Sequence, residues 1–292
     1  MASLTHLPAP AKLNLFLHVI GQRADGYHLL QSAFALIDWA DQLHIETRSD
    51  GQLSRHDLGP ALPIDDLCLR AARLLQRESG SPLGADISID KQLPWGAGMG
   101  GGSSDAATVL LALNQLWNLH WPRDRLATLA LRLGADVPFF VQGHNAWVEG
   151  IGEQITPITL PAEVINTPIA VLKPPVAVPT QAIFSSKALS RSTEPATVSL
   201  FLAAPKCFGR NDLQAPAELY SSQISQALEI MQGQFGNSRM TGSGSAVFSW
   251  VTIDRTAPPP SFAPTDLGLN DPSWAGRLCR ILARHPLFDV LE

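Results

Sequence analysis

The stretch Leu93-Pro-Trp-Gly-Ala-Gly-Met-Gly-Gly-Gly-Ser-Ser-Asp-Ala-Ala107 is a glycine run that passes directly into an apolar helical pattern. Glycines permit positive φ, and without a Cβ they let backbone N–H groups approach a ligand closely. The residues Ser103, Ser104 and Asp105 are typical helix caps, and the helix N-terminus carries unsatisfied N–H donors and the positive end of the dipole. The stretch therefore predicts a phosphate-binding loop.

The glycine spacing alone fits more than one kind of nucleotide site. Gly96-x-Gly98-x-x-Gly101 satisfies the dinucleotide fingerprint, but the preceding segment 85–90 alternates like a half-exposed strand, whereas a Rossmann strand is buried on both faces. The run lacks the Gly-Lys-Ser/Thr end of a Walker A loop, and the protein-kinase signatures are missing. A flexible turn without a ligand is the simplest alternative, although a glycine run costs backbone entropy for no evident packing reason.

Composition bounds the class of protein. With 292 residues and 45% hydrophobic content, the chain can fill the core of one large or two ordinary domains. A net charge of −5 without blocks of Lys or Arg argues against nucleic-acid and membrane partners, and no apolar run approaches the ~20 residues of a membrane helix. Three separated cysteines fit a reduced cytoplasmic protein, and the eight histidines show no metal-ligand spacing, so no protein metal site is predicted.

Alternation of apolar and polar residues predicts the strands. In the strand over 11–20, one face is expected to carry Leu13, Leu15, Leu17 and Val19, and the other Lys12, Asn14, Phe16 and His18. Further strands are predicted over 32–37, 42–47, 85–90 and 169–172, with a hairpin over 147–155 and a strand after the glycine turn at 242–244. Residues from 48 to about 63 read as a polar loop.

Helical spacing and end signals predict the helices. One begins at Asp65-Asp66 and ends near Gly80, one follows the glycine run, one spans 123–133 and one spans 217–231. Thr180 is expected to cap a short helix that carries Phe184. The proline-rich stretch 157–179 is the predicted domain crossover, and 254–272 is expected to be irregular.

Three separated segments resemble the motifs of the GHMP small-molecule kinases. They are Pro10-Ala-Lys-Leu-Asn-Leu15, the stretch 93–107 and Thr241-Gly-Ser-Gly-Ser-Ala246. Other segments are similar to the members that act on cytidylated methylerythritol: Arg23-Ala-Asp-Gly-Tyr-His28, Leu133-Gly-Ala-Asp-Val-Pro138, Glu149-Gly-Ile-Gly-Glu153, Pro179-Thr-Gln-Ala-Ile-Phe184 and Asn211-Asp-Leu213. The resemblance covers about 8–250, and the proline-rich tail departs from it.

The resemblance implies an α/β fold of the α+β two-domain kind. An N-terminal domain over 1–157 would be like the second domain of ribosomal protein S5, and a C-terminal domain over 158–292 would be ferredoxin-like, with the active site in the cleft between them. The implied reaction is ATP-dependent phosphorylation, with Mg²⁺, of the 2-hydroxyl group of cytidine-diphosphate-linked methylerythritol, a step of non-mevalonate isoprenoid synthesis. The expected partner is this small molecule alone, and the expected state is a monomer or weak homodimer.

The resemblance also implies roles for individual residues. Asp136 matches the general base, and Lys12 matches the cation that stabilises the ionised aspartate and the developing alkoxide. ATP would contact Pro94, Gly96, Ala97, Gly98, Met99, Gly100, Gly101, Gly102, Ser103 and Ser104. The acceptor would contact Asn14, Tyr27, His28, Thr180, Phe184 and Gly242, with Tyr27 and Phe184 sandwiching cytosine and His28 binding the base edge.

Two alternative functions stay open beside this one. The chain could be a nucleotide-binding module of the same fold that has lost catalysis, or a GHMP kinase for galactose, homoserine or mevalonate. Retention of Lys12, Asp136 and the whole glycine run favours an enzyme. The aromatic residues Tyr27 and Phe184 favour a base-containing acceptor, because a sugar or amino-acid site has no need of a base sandwich.

Overall fold

Two β-sheets form the centre of the molecule. The computed structural model describes residues 2–165, 167–252 and 262–291. One face of each sheet takes part in a core shared between the sheets, and helices cover the opposite faces. This layering agrees with the predicted α/β two-domain architecture.

The first sheet is built mainly from antiparallel neighbours. Its strands are β1 (Ser3–Gln22), β2 (His28–Arg48), β3 (Leu53–Asp57), β4 (Gly84–Asp90), β5 (Ala146–Glu149) and β6 (Gln154–Pro157). They are ordered β3-β4-β2-β5-β6, with β1 also paired to β2 and only β3 parallel to its neighbour β4. Its outer face is covered by α1 (Leu67–Ser79), α2 (Gly101–Leu116), α3 (Arg123–Ala130) and α4 (Val137–Gln142).

The second sheet is antiparallel and has four strands within the described residues. In chain order they are β7 (Pro168–Lys173), β8 (Arg239–Met240), β9 (Val247–Trp250) and β10 (Ala275–Arg280), and in space the order is β10-β7-β9-β8. The accompanying helices are α5 (Ala162–Ile165), α6 (Thr180–Phe184), α7 (Val198–Ala203), α8 (Gln214–Tyr220) and α9 (Ser222–Phe235). Strand β7 alternates strictly, with Ile169 and Val171 in the shared core and Ala170 and Leu172 in the core under α8 and α9.

Strand β1 corrects the predicted assignment of faces. Lys12 and Asn14 do share a surface, as expected, but Phe16 does not lie on a polar face. Phe16 is fully buried with Leu13 and Leu15 in the core between the sheets, whereas Leu17 belongs to the core under α8 and α9. The cause is an irregularity in the pairing of β1 with β2 between Asn14 and Leu17, because a one-residue shift moves the following side chains to the opposite face.

Other boundaries also differ from the predictions. The helix expected over 217–231 is two helices, because Ser221 ends α8 and its side chain accepts a hydrogen bond from the Gln223 N–H to begin α9. The loop expected after residue 48 contains β3, and β10 was not expected at all. Both are edge strands with mostly polar or half-exposed residues, so neither shows a buried alternation.

The C-terminal residues return to the first sheet. Leu287 and Leu291 pack in the core formed with α1–α4, and the Arg123 guanidinium donates to the Phe288 carbonyl at 2.7 Å. Part of the predicted irregular stretch, 253–261, lies outside the described residues, and 262–272 contains a short 3₁₀ turn at Pro264–Leu267. The predicted division between 157 and 158 falls in the connection between the sheets and stays a prediction. In the described part of the chain, every helix is too short or too polar to cross a membrane.

Candidate active site

The glycine run forms a loop between β4 and α2 that is held on two sides by backbone hydrogen bonds. The Lys12 N–H donates to the Met99 carbonyl at 2.9 Å, and the Ala246 N–H donates to the Ala97 carbonyl at 3.1 Å. Positive φ occurs at three of its glycines, with values of 62° at Gly96 and 72° at Gly98 and Gly100. The loop is thus fixed by strand β1 and by the turn before β9.

The second glycine turn packs directly against this loop. A Cβ built on Gly98 would lie 2.6 Å from the Thr241 carbonyl oxygen, and one built on Gly242 would lie 2.7 Å from the Gly98 carbonyl oxygen. Both positions also have positive φ. The turn at 242–244 thus closes on the first loop, and close backbone approach explains why glycine is needed at Gly98 and Gly242.

The start of α2 differs from the predicted cap. The helix begins at Gly101 with Gly100 at the N-cap, and no side chain caps it. Ser103, Ser104 and Asp105 therefore lie inside the first turns, so their prediction as caps was wrong. Ser104 is fully buried, and its hydroxyl has no hydrogen-bond partner among the described residues.

A buried charge cluster beneath the loop explains the position of Asp105. Lys91 Nζ donates to Asp105 Oδ2 at 2.8 Å and also contacts Asp41 Oδ2, while Asp41 Oδ1 accepts the Leu93 N–H at 2.7 Å. Burial, together with the neighbouring Asp41 charge, raises the pKa of Asp105 to about 8 despite the attraction of Lys91. Burial alone would lower the pKa of Lys91, but Asp105 and Asp41 raise it on balance. The cluster ties the loop to β2, and no local pattern in the chain indicates it.

Lys12 and Asp136 come together from β1 and the start of α4. Their Nζ and Oδ2 atoms are 3.7 Å apart, and the lysine side chain is 5% exposed against 33% for the aspartate. Burial lowers the pKa of Lys12, while the Asp136 charge opposes that shift. Asp136 occupies the N-cap position of α4 but makes no capping hydrogen bond, so its carboxylate is not used to begin the helix. The pair combines a buried cation with a solvent-accessible base.

Asn14 holds the Lys12 amine in place. Its Oδ1 accepts from Lys12 Nζ at 2.6 Å, and its Nδ2 donates to Ser32 Oγ at 2.9 Å. The Asn14 N–H donates to Thr241 Oγ1 at 2.8 Å, which joins β1 to the second glycine turn. Lys12 Nζ also lies 4.3 Å from the centroid of the Phe34 ring, a cation–π contact. The position of the amine is thus set on several sides.

Aromatic residues gather at the other end of the site. The Phe184 ring at the end of α6 stacks on the His28 ring at the start of β2, with centroids 5.1 Å apart and planes at 30°. Tyr27 is 59% exposed at the rim. Arg191, which sequence reasoning missed, donates from Nε to His28 Nε2 at 3.1 Å. Burial, and then the charge of Arg191, lowers the pKa of His28.

Three cavities connect these groups into one groove. The glycine-loop cavity, about 310 Å³, lies under the loop; the central cavity, about 300 Å³, contains Lys12 and Asp136; the aromatic cavity, about 630 Å³, contains His28. Gly98 and Gly100 line both the first and the second cavity. Thr180 and Phe184 line both the second and the third.

Nearly all the predicted site residues line this groove. Pro94, Gly96, Ala97, Gly98, Met99, Gly100, Gly101 and Gly102 line the glycine-loop cavity; Lys12, Asn14, Asp136 and Gly242 line the central one; Tyr27 and His28 line the aromatic one. Ser103 and Ser104 line none of the three. Thr180 is the first residue of α6 rather than its cap, which is Pro179, and its hydroxyl shares a hydrogen bond of 2.9 Å with Ser243 Oγ.

Comparison with known proteins identifies the family. Residues 66–144 match the family model for the GHMP kinases N terminal domain. A Methylibium petroleiphilum protein named 4-diphosphocytidyl-2-C-methyl-D-erythritol kinase is 64% identical to the chain over 98% of both sequences. The chain belongs to the 4-diphosphocytidyl-2-C-methyl-D-erythritol kinase family. A relative of the same name from Albidiferax ferrireducens is 52% identical over 98% of the chain and 95% of its own length.

A solved structure of a family member agrees with the fold. The crystal structure of 4-(cytidine 5'-diphospho)-2C-methyl-D-erythritol kinase is 34% identical to the chain, with a TM-score of 0.77 over 96% of this chain and 99% of that one. The predicted family and the GHMP kinase fold are confirmed. The similarity also includes most of the tail, which on its sequence departs from the family pattern.

Proposed function

We propose that the chain transfers the γ-phosphoryl group of ATP to the 2-hydroxyl group of 4-diphosphocytidyl-2-C-methyl-D-erythritol. The observation that carries the proposal is the continuous groove, in which the Lys12–Asp136 pair lies between a glycine loop and an aromatic cavity. One end suits phosphates and the other suits a planar base. The reacting groups would meet at the charged pair between them.

Asp136 is proposed as the general base. Its carboxylate accepts the proton of the acceptor hydroxyl as the oxygen bonds to the γ-phosphorus and the bond to the bridging oxygen of ADP breaks. Lys12 lies 3.7 Å from Asp136 and stabilises both the carboxylate and the negative charge that develops on the attacking oxygen. Asn14 fixes the amine for this role through its 2.6 Å hydrogen bond.

The glycine loop is proposed to bind the ATP phosphates through its amides and the N-terminus of α2. Mg²⁺, when bound there, would offset the negative charge of the phosphates. Ser103 and Ser104 line none of the three cavities and Ser104 is fully buried, so neither hydroxyl is assigned to the metal. The described residues contain no cluster of three or more His, Cys, Asp or Glu side chains suited to a metal, so phosphate and water oxygens would supply most of the ligands.

The aromatic cavity is proposed to bind the cytidine part of the acceptor. Phe184 and Tyr27 offer ring faces for stacking, and His28 offers a polar edge. Thr180 and Gly242 line the central cavity, where the diphosphate and alcohol would pass toward Asp136. A base-binding pocket next to the reacting pair favours a cytidylated acceptor over a bare sugar, homoserine or mevalonate.

A substrate panel tests the proposal directly. The purified chain is incubated with ATP, Mg²⁺ and one of four alcohols: the cytidylated acceptor, mevalonate, homoserine or galactose, with ADP release as the readout. Turnover is expected with the cytidylated acceptor alone. Turnover of another alcohol but not the cytidylated one would reject the acceptor assignment. ATP binding without turnover of any alcohol would instead favour a module that has lost catalysis.

We also propose an oligomeric state and a cellular location for the enzyme. We propose that the enzyme is a monomer or weak homodimer that acts on small molecules without nucleic acid or membrane, since its net charge is −5 and its sequence has no block of Lys or Arg. A cytoplasmic location fits the free cysteines in the described residues. Sedimentation at the concentration of the activity assay tests the oligomeric state, and cell fractionation tests the location.

A further inference from the structure

The second glycine turn is held by the side-chain amide of Asn211. This side chain is buried, and its Nδ2 donates to the carbonyl oxygens of Met240 and Gly242, each at 2.8 Å. Its Oδ1 accepts the N–H of Leu213 at 2.9 Å. Both N–H groups of the amide are therefore used to hold the backbone on either side of the turn.

The segment that carries Asn211 is itself fixed on strand β1. The Leu17 N–H donates to the Arg210 carbonyl at 2.9 Å, and the Asp212 N–H donates to the Leu17 carbonyl at 2.8 Å. The side chain of Asp212 adds a third contact, since its Oδ2 accepts the Val19 N–H at 2.8 Å. Asn211 thus joins the second glycine turn to the same strand that carries the lysine of the reacting pair.

The turn in turn contacts the groups that set the position of this lysine. Thr241 is fully buried, and its Oγ1 accepts the Asn14 N–H at 2.8 Å. A Cβ built on Gly242 would lie 3.4 Å from Asn14 Oδ1, the oxygen that accepts from Lys12 Nζ at 2.6 Å. A displaced turn would therefore move Asn14 and, with it, the amine of Lys12.

The phosphate-binding loop has a separate attachment to the residues after the turn. The Ser245 N–H donates to the Gly96 carbonyl at 3.1 Å, and the Ala246 N–H donates to the Ala97 carbonyl at 3.1 Å. Neither hydrogen bond involves the amide of Asn211. Loss of that amide should thus disturb the reacting pair more than the binding of the ATP phosphates.

We propose that Asn211 is a positioning residue that holds the Lys12 amine in its reactive place through the second glycine turn and Asn14. This inference rests on the proposed function, since it assumes that phosphoryl transfer takes place at the pair of Lys12 and Asp136. A displacement of about 1 Å at a reacting centre can cost about 10²-fold in rate. Asn211 is therefore expected to affect kcat, with little effect on the KM of either substrate.

The kinetic test compares Asn211→Asp with Asn237→Asp. Aspartate keeps the shape of asparagine but replaces the amide donors with an acceptor oxygen. Asn237 is a matched control, because its Nδ2 also donates to two carbonyls, those of Phe235 at 2.9 Å and Trp250 at 3.0 Å, and its Oδ1 accepts the Trp250 N–H at 2.8 Å. These contacts lie at the end of the β8–β9 pair away from the turn, and Asn237 lines none of the three cavities.

Both substitutions should lower the free energy of unfolding, because each leaves two carbonyls without their donor. Only Asn211→Asp is expected to lower kcat for the cytidylated acceptor, by about 10–100-fold, with both KM values within about threefold of the wild type. Asn237→Asp is expected to keep the kcat and KM values of the wild type. The rates are measured below the thermal transition of each protein.

Substitutions at Thr241 test the next contact in the same chain. Thr241→Val removes the oxygen that accepts the Asn14 N–H and should lower kcat about tenfold, whereas Thr241→Ser keeps a hydroxyl and should restore most of the rate. The double variant Asn211→Asp/Thr241→Val is expected to be about as slow as Asn211→Asp alone, because both changes act through Asn14. Two unrelated losses of stability would not produce this non-additive effect on kcat.

The outcomes separate this inference from the proposed function. A wild type that phosphorylates the cytidylated acceptor, with equal kcat in Asn211→Asp and Asn237→Asp, would overturn the inference alone. So would a defect of Asn211→Asp that lies only in KM, or equal kcat in Thr241→Val and Thr241→Ser. A wild type that is inactive on that acceptor would overturn the proposed function and the role of Asn211 together. If Asn211→Asp does not fold, Asn211→Ser replaces it, and a wild-type kcat in that variant would overturn the inference.

Discussion

The two ends of the groove are built in opposite ways. The glycine-loop end is one contiguous run whose tight contacts join backbone to backbone, as at Gly98, where a Cβ would meet the Thr241 carbonyl at 2.6 Å. The aromatic end is assembled from side chains on separate segments, with His28 bonded to Arg191 across 163 positions of sequence. Amides bind phosphates whatever side chains surround them, whereas a base must be bound by particular rings and particular donors.

This contrast predicts which substitutions should impair each end of the groove. At the glycine-loop end the backbone path is the functional feature, so an added methyl group is harmful and the nature of the side chain matters little. At the aromatic end the ring faces are the proposed binding surface, so loss of one ring should weaken binding of the acceptor. The Lys12–Asp136 pair lies where the two ends meet, and only there should a substitution affect the chemical step while both substrates still bind.

The largest effect is therefore expected from Asp136→Ala. Removing the proposed base should lower kcat by about 10²–10⁴-fold, with KM for ATP and for the acceptor changed little because both ends of the groove stay intact. Initial rates of ADP release give kcat, and equilibrium titration with ATP measures binding.

Asp124→Asn is the matched control, since Asp124 is an exposed aspartate in the first turn of α3. This substitution should leave kcat and the two KM values unchanged. A mainly KM-directed defect in Asp136→Ala would show that the aspartate binds substrate instead of acting in the chemical step.

The next largest effect is expected from Gly98→Ala. Alanine is strained at a φ of 72°, and its Cβ would press on the Thr241 carbonyl at 2.6 Å. We expect the free energy of unfolding to fall by about 1–3 kcal/mol and KM for ATP to rise, while KM for the acceptor changes little. Urea unfolding and the two KM values check this.

Gly233→Ala provides the contrast within a regular helix. Gly233 lies inside α9, and a Cβ there would have no neighbouring atom within 4 Å. The substitution should raise the free energy of unfolding by roughly 0.5–1 kcal/mol, because alanine favours the helix. Equal losses at Gly98 and Gly233 would contradict the view that close backbone contact makes Gly98 necessary.

The same contrast explains how much the sequence could predict. The glycine loop and its position before α2 follow from local patterns, since contiguous glycines and an apolar helix are visible in the chain itself. The strand that carries Lys12 and Asn14 is visible for the same reason. These features were predicted because short-range spacing determines them.

What could not be predicted depends on contacts between distant segments. Asp105 reads as a cap, but it lies in a buried hydrogen-bonded cluster with Lys91 and Asp41. Phe16 reads as the polar face of β1, but an irregular pairing with β2 turns it into the core. Arg191 has no motif around it, because its contacts with His28 and Phe184 form only once α6 and β2 are packed together. Edge strands such as β10 are equally hard to see, since their exposed side chains carry no alternation.

Phe184→Ala tests the aromatic end with a more moderate effect. Loss of one stacking face should raise KM for the cytidylated acceptor roughly tenfold, since base–aromatic stacking contributes about 1–3 kcal/mol per base, while KM for ATP stays the same. Tyr220→Ala serves as the control, because Tyr220 is 49% exposed at the end of α8 and lines none of the three cavities. An increase in KM for ATP with Phe184→Ala would contradict the view that the two ends of the groove bind different substrates independently.

The smallest effect on turnover is expected from Asp105→Asn. This substitution should instead change how the free energy of unfolding depends on pH. Folding raises the pKa of Asp105 from 3.8 to about 8, so between these values the folded protein holds a proton that the unfolded chain lacks. The stability contributed by this proton is fully present below pH 3.8 and is lost as the pH rises through about 8. Asparagine has no proton to lose, so the free energy of unfolding of Asp105→Asn relative to that of the wild type should rise from pH 5 to 8 in urea unfolding.

The opposite dependence of stability on pH is expected at the aromatic end. Burial and Arg191 lower the pKa of His28, so its contribution is present above about 6.5 and is lost as the pH falls below that value. His28→Gln should remove this acid-side loss without altering the behaviour above pH 7. For Asp105, the outcome that would contradict the prediction is a free energy of unfolding that changes with pH in the same way in Asp105→Asn and in the wild type. It would show that Asp105 binds its proton equally well in the folded and the unfolded chain.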